Sequence, residues 1–166
     1  MTTTNMTPID WAKRPIEKYA DFSGRAPRAE YWWFYLATIV AYIVATIIDS
    51  ILGLDGTVGP YGVVVLVLML ALLIPGLAAT VRRLHDTNRS GWWILIAIVP
   101  YFILGILFGM AFASGSMAAM GGVGLIGGLI AVAGGIALLV FMILPGTPGD
   151  NRYGPDPYGR GAPATV

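Results

Sequence analysis

The chain has 166 residues, 57% of them hydrophobic and only 11% charged, with a mean hydropathy of +0.74. A soluble domain carries about a quarter of its residues as Asp, Glu, Lys and Arg, so a water-soluble globule is excluded. A net charge of +1 gives no case for nucleic acid, and the absence of cysteine removes disulfides, thiolate metal sites and thiol nucleophiles.

Residues 1–30 are polar, mixed in charge, and read as a cytoplasmic N-terminal segment. The first 24 lack the apolar core of a secretory signal, so targeting is expected from the first transmembrane helix itself. Arg14-Pro15-Ile16-Glu17-Lys18-Tyr19 is a candidate start of a short helix, with Pro15 in its first turn. Trp11, Ile16, Tyr19 and Phe22 would let such a helix rest in the membrane interface; a solvated tail is the alternative.

Four spans follow, over residues 31–52, 61–81, 92–110 and 123–144. The first opens on the aromatic run Tyr31-Trp32-Trp33-Phe34-Tyr35. The second is bounded by Gly59-Pro60 and by Arg82-Arg83, with Pro75 as a bend; the third starts at Trp92-Trp93 after Ser90 as cap, with Pro100 as a second bend. Ala113-Ser114-Gly115-Ser116 is the turn into the fourth, which Pro145-Gly146 stops. No charged residue occurs between Arg89 and Asp150, a stretch that as one helix would be about 90 Å long against a hydrocarbon core of about 30 Å. It must fold back. Residues 145–166 form a Pro/Gly-rich cytoplasmic tail whose last residues are expected to be disordered. The fold class is therefore all-α: four transmembrane helices in a compact bundle.

Lys13, Arg14, Lys18, Arg25 and Arg28 precede the first span, Arg82, Arg83 and Arg89 separate the second and third, and Arg152 and Arg160 follow the fourth. The other two connections hold no base. With four spans all ten bases fall on one side, which the positive-inside rule makes cytoplasmic, with both termini in.

Two stripes stand out within the spans. Tyr31, Tyr35, Thr38, Tyr42, Thr46 and Asp49 fall within roughly an 80° arc of the first, opposite Val40, Ile43, Val44 and Ile47, and are expected to face the bundle. Gly121, Gly124, Gly128, Ala131 and Gly135 form a row of small residues on the fourth, with Gly105 and Gly109 a shorter version on the third. Both rows read as helix packing rather than a pore lining.

A polar cluster gathers where the spans meet the cytoplasm: Arg25, Arg28, Glu30, Arg82, Arg83, His85, Asp86 and Arg89. Glu30 in the first turn of its span and Arg82 and Arg83 in the last turn of theirs suit the helix dipoles, and Glu30 is expected to pair with one of these arginines. One histidine without cysteine and with few nearby acids builds no common zinc site, and no nucleophile–base–orienter set stands out. No catalytic, metal or cofactor residue is assigned.

The segments Phe22-Ser23-Gly24-Arg25, Arg28-Ala29-Glu30-Tyr31-Trp32-Trp33-Phe34, Arg83-Leu84-His85-Asp86, Ser90-Gly91-Trp92-Trp93 and Asn151-Arg152-Tyr153-Gly154 occur in that order. Together they resemble a family of small bacterial inner-membrane proteins catalogued as domain of unknown function 805, over about Trp11 to Pro157. The resemblance implies a multi-span inner-membrane protein and carries no established activity, substrate or cofactor. The family often has Ser or a similar cap where Pro27 stands, so the entry to the first span is capped differently here.

Two function classes follow. One is a non-catalytic scaffold, partner or lipid-interacting module, with membrane lipids, above all anionic headgroups near Arg25, Arg28, Arg82, Arg83 and Arg89, as partners. A homo-oligomer or a membrane-protein partner fits the same class. The other is a small oligomeric transporter or channel, for which Pro75, Pro100 and the glycines supply interrupted helices but no mid-membrane ionisable residue supplies a path. The topology is directly testable. Reporter fusions after Arg89 and after Arg160 are expected to report cytoplasm, and fusions after Gly56 or Gly115 the outside. A periplasmic C-terminus would overturn the four-span count.

Overall fold

Helix formation begins at a cap rather than at Arg14. In the computed structural model, which describes residues 6–160, α1 spans Pro8–Glu17. Thr7 and Asp10 cap it reciprocally: the Thr7 hydroxyl accepts from the Asp10 N–H at 3.3 Å, and the Thr7 N–H donates to the Asp10 carboxylate at 2.9 Å. The Thr7 hydroxyl also donates to that carboxylate, and these bonds hold Asp10 below the ordinary carboxylate range. Pro8, not Pro15, takes the first-turn position, and Pro15 lies near the helix end. The helix packs Trp11 and Pro15 inward, while Ile16, Tyr19 and Phe22 stay exposed.

The membrane helices are α2 (Arg28–Ile51), α3 (Val63–Asp86), α4 (Leu95–Ala113) with a preceding 3-10 turn (Gly91–Ile94), and α5 (Met117–Ile143). All four are long and apolar enough to cross a membrane, and no strand forms among the described residues. α3 runs five residues past the predicted end of its span. Arg82 and Arg83 do not stop it, because both are paired inside the protein. It ends in a Schellman turn, Arg89 N–H to Leu84 C=O at 2.9 Å and Asn88 N–H to His85 C=O at 2.9 Å, with Asn88 in the left-handed region. α5 starts at Met117, ahead of the expected Val123, because the Ser116 hydroxyl caps it through the Ala119 N–H. The residues expected to be disordered at the end of the tail lie outside those described, but 145–160 forms a structured strap against the α3 terminus.

The expected compact bundle is instead two antiparallel hairpins, α2 with α3 and α4 with α5, joined mainly at one end. The joint is a small core of Tyr31, Leu84 and Met142, with Tyr35, Ile94, Leu138 and Phe141 against it. That end carries the start of α2, the end of α3, the start of α4 and the end of α5, and is called the base-rich end below. Val40, Ile43, Val44 and Ile47 are exposed, as expected of a lipid face.

Two prolines interrupt the hydrogen bonding of the membrane helices, and each freed carbonyl has a neighbour. Pro75 cannot donate to Ala71 C=O, and the Tyr19 hydroxyl donates to that oxygen at 2.6 Å. Pro100 leaves Ile96 C=O without its helical donor, and this oxygen faces the backbone of Gly134, a Cα–H···O approach. A Cβ on Gly134 would lie 2.2 Å from that oxygen, and one on Gly127 2.5 Å from Leu104 Cδ1.

The α4–α5 seam therefore runs through Gly127, Ala131 and Gly134. Of the expected row, Ala131 is buried in it, Gly135 lies beside Tyr101 and Gly124 only approaches Phe108, whereas Gly121 and Gly128, like Gly105 and Gly109, face open space. The glycine doublets at 121–122, 127–128 and 134–135 offer two neighbouring rows, and the position of α4 selects between them. Gly134→Ala is expected to lower thermal stability in detergent by about 1–3 kcal/mol through overpacking. Gly128→Ala should change it by less than about 0.5 kcal/mol. Equal tolerance at the two positions would dissolve the seam as described.

Candidate functional site at the base-rich end

The last turn of α3 is a hub because consecutive helical residues point about 100° apart. Arg82 and Arg83 therefore serve different neighbours, and both side chains are fully buried. Arg82 turns to the N-terminal side. Its Nη2 donates to Glu30 Oε1 at 3.0 Å, while Nη1 donates to the carbonyl of Asp21 and lies 3.5 Å from that of Lys18. Its own carbonyl accepts from Ala26 N–H at 3.0 Å, which fixes the entry to α2. Pro27, the residue before α2, supplies no side-chain cap. Glu30 is the pairing partner expected of the sequence, and Arg82 is the arginine chosen. Arg14 approaches the second Glu30 oxygen at 3.6 Å.

Arg83 turns to α5. Its Nε donates to Met142 C=O at 3.2 Å, Nη2 donates to Leu144 C=O and Nη1 donates to Asp86 Oδ2 at 2.5 Å. The side chain thus satisfies carbonyls left over at the end of α5, where positive charge is favoured. Asp86 is held from its other side by Arg25, whose Nε and Nη2 both reach Oδ1 at 3.0 Å. Arg25 spends its remaining donors on the strap, reaching Thr147 C=O at 2.6 Å and Gly149 C=O at 2.7 Å. Gly146 allows this closure, since a Cβ there would lie 2.1 Å from Asp86 Oδ2.

His85 completes the strap. Its ring stacks on Tyr153 at 3.9 Å and 3°, and Nδ1 lies 3.1 Å from Gly24 C=O, so this nitrogen carries the proton. The Asn151 amide donates to His85 C=O and to Thr147 Oγ1, both at 3.0 Å. Of the eight residues in the expected polar cluster, five form two buried sets on successive faces of α3, Arg82 with Glu30 and Arg83 with Asp86 and Arg25, and His85 lies at the edge of the second. Arg89 lies over Phe141, 4.4 Å from the ring centre. Arg28 stays exposed, and its one hydrogen bond among the described residues runs from Nε to Leu144 C=O at 3.2 Å. The strap residues Thr147, Asn151 and Tyr153 were not among the expected site residues, although Asn151 and Tyr153 belong to the segments that carried the resemblance. Nothing in the sequence marks Arg14.

The polar stripe on α2 divides. Tyr31 is buried, the Tyr35 hydroxyl meets Thr80 Oγ1 at 3.1 Å, and Thr38 and Tyr42 line a cavity. Thr46, expected to face the bundle, is exposed, because its hydroxyl bonds the carbonyl of Tyr42 one turn back and needs no other partner. Asp49 has a different task. It is buried and accepts from the N–H groups of Val64 and Val65, both at 2.9 Å, so it caps α3 from the end of α2. Gly62 makes room, since a Cβ there would lie 2.1 Å from the Asp49 carboxyl carbon.

A buried pair that loses one member leaves an uncompensated charge, which costs about 3–5 kcal/mol. Glu30→Gln and Arg82→Gln are each expected to lower the unfolding temperature markedly. The double variant should lose less than the sum, by about 1–3 kcal/mol of coupling. Glu30 and Arg83 should show no coupling in the same cycle. A cycle without coupling at Arg82 would remove the pair.

The family model described as "Protein of unknown function (DUF805)" matches residues 19–155. The chain is 34% identical over 149 residues to the inner membrane protein YhaH of Escherichia coli K12, covering 90% of this chain and 97% of that protein. It is 35% identical to the inner membrane protein YhaI of the same organism, over 90% and 96%. The uncharacterized protein YiiR aligns over 93 residues at 33% identity, covering 53% of this chain and 56% of that protein. No solved structure matches. With its helices, its base-rich end and its relatives in agreement, this chain belongs to the DUF805 family of multi-pass inner-membrane proteins of unknown function.

Proposed function

We propose that the protein is a non-catalytic membrane scaffold, with both termini in the cytoplasm, whose base-rich end is a preformed platform rimmed by anionic lipid. One observation carries this reading: the arginines that would build an open anion site are spent inside the platform. Arg25, Arg82 and Arg83 are buried, and their donors go to Glu30, Asp86 and carbonyls of α5, the α1–α2 linker and the strap. A headgroup reaching Arg25 would have to displace Asp86. His85, held at Nδ1 by the Gly24 carbonyl and stacked on Tyr153, serves in this reading to close the strap on the end of α3.

Lipid contact then falls to Arg28. Its two Nη groups have no hydrogen-bond partner among the described residues, and Trp32, one turn along α2, is exposed beside it. A guanidinium with free Nη groups next to an interfacial tryptophan suits a phosphate at the headgroup level. One base contributes only about 1 kcal/mol of general attraction, so selectivity is the informative readout. Native mass spectrometry from mixed anionic and zwitterionic nanodiscs is expected to show preferential retention of anionic lipid, lost in Arg28→Gln at unchanged unfolding temperature. Arg25→Gln should instead lower the unfolding temperature. Retention without preference, or unchanged by Arg28→Gln, would overturn the lipid assignment.

A further inference from the structure

Directly against the core at the base-rich end, whose Tyr31, Tyr35, Ile94 and Leu138 form part of its wall, the two hairpins part around a cavity of about 340 Å3, bordered by α2, α3, α4 with its preceding turn, and α5. Its walls include the rings of Tyr31, Phe34, Tyr35 and Tyr42 and the thioether of Met69. Among the described residues no charged side chain lines it. The hydroxyls are unequal. Thr80 donates to Gly76 C=O at 2.8 Å, so Tyr35 donates to Thr80, and that pair is closed. The hydroxyls of Thr38 and Tyr42, both half-buried, have no hydrogen-bond partner among the described residues.

Depth makes this informative. Thr38 and Tyr42 stand ten and fourteen positions into α2, about 15 and 21 Å along it, within a hydrocarbon layer about 30 Å thick. A hydroxyl without a partner there is costly, and the threonine at position 46 shows the inexpensive solution, a bond back to its own helix. Phospholipid ester carbonyls lie at the boundary of that layer and do not reach these positions. A bound molecule that carries oxygen into the middle of the membrane would supply the missing acceptor to both hydroxyls at once. The volume is that of a small-molecule site, and its apolar, ring-rich walls with a few convergent donors suit a flat neutral ring.

We propose that the cleft between the hairpins binds a neutral, lipid-soluble ring compound bearing carbonyl oxygens, of the benzoquinone class, with the Thr38 and Tyr42 hydroxyls as donors. The ligand's ring lies among the aromatic walls and its tail leaves between the hairpins into lipid. The proposal uses neither the platform's charged groups nor Arg28, so its outcome and that of the lipid assignment are read separately.

The test uses the full chain in phosphatidylcholine nanodiscs with two probes of matched size, a decyl-substituted 1,4-benzoquinone and decylbenzene, which lacks the oxygens. The quinone is expected to raise the unfolding temperature saturably, and decylbenzene is not. Thr38→Val with Tyr42→Phe keeps the shapes and removes both donors, so quinone affinity should fall about tenfold or more. Because those donors have no protein partner, the ligand-free variant should unfold at the same or a higher temperature than the parent, which a structural role would not allow. Equal shifts from the two probes, or an undiminished quinone shift in the variant, would overturn the site. A drop in the ligand-free unfolding temperature, or a change in native mass, would overturn it too, by assigning the hydroxyls to the fold or to a contact between copies.

Discussion

The last turn of α3 places two arginines and an aspartate where three other parts of the chain converge, and the rest of the architecture depends on how those charges are neutralised. Withdrawing a guanidinium from water costs several kcal/mol, and attraction to one carboxylate seldom repays it unless the other donors are also met. Here the backbone supplies most of what is missing. Arg83 takes the carbonyls at the end of α5, Arg25 those of the strap, and Arg82 those of the α1–α2 linker. Ion pairing alone would join Arg82 to Glu30 and Arg83 to Asp86. It is the carbonyls that make the charges hold separate segments together. Among the described residues, the two buried side-chain atoms left without hydrogen bonds, Glu30 Oε2 and Arg82 Nε, both belong to the N-terminal half of the hub, where Arg14 approaches from α1.

The same need for acceptors and donors orders the membrane interior. A proline in a spanning helix exposes a carbonyl that lipid cannot satisfy. Tyr19 answers Pro75 from outside the span, and Gly134 answers Pro100 from the neighbouring helix, so each proline is tied to a contact between segments. Asp49 applies this logic at the opposite end of the hairpin, where it closes the N–H groups of α3 that Gly62 leaves open. Thr38 and Tyr42 depart from this saturation, which is why they mark a place for something else.

The span count, the concentration of bases at one end, the lipid-facing side of α2 and the Glu30 pairing were legible because each rests on periodicity, charge or helix-end electrostatics within a single segment. Contacts between segments distant in the chain were not. Arg82 and Arg83 read as the end of a span when neighbours in space allow them inside a helix. Glycine doublets on α5 carry two rows, and nothing local says which one meets α4. Asp49 looked like the last step of a polar stripe, and its capping of α3 becomes visible only once Gly62 is placed against it. The strap is not legible because Pro and Gly signal missing regular structure, which is different from missing order.

Arg25 meets carbonyls at residues 147, 149 and 154, more than 120 positions later in the chain. Synthesis runs from the N-terminus, so this arginine leaves the ribosome long before its acceptors exist. Until the strap emerges, Arg25 and Asp86 have each other and water, and the end of α5 that Arg83 will cap is still in the exit tunnel. Insertion of the hairpins can therefore proceed while the platform is unfinished, and the last stretch translated closes it. A chain that stops short of the strap would lack the carbonyls that Arg25 takes there, and the shared end of its helices would stay unsealed.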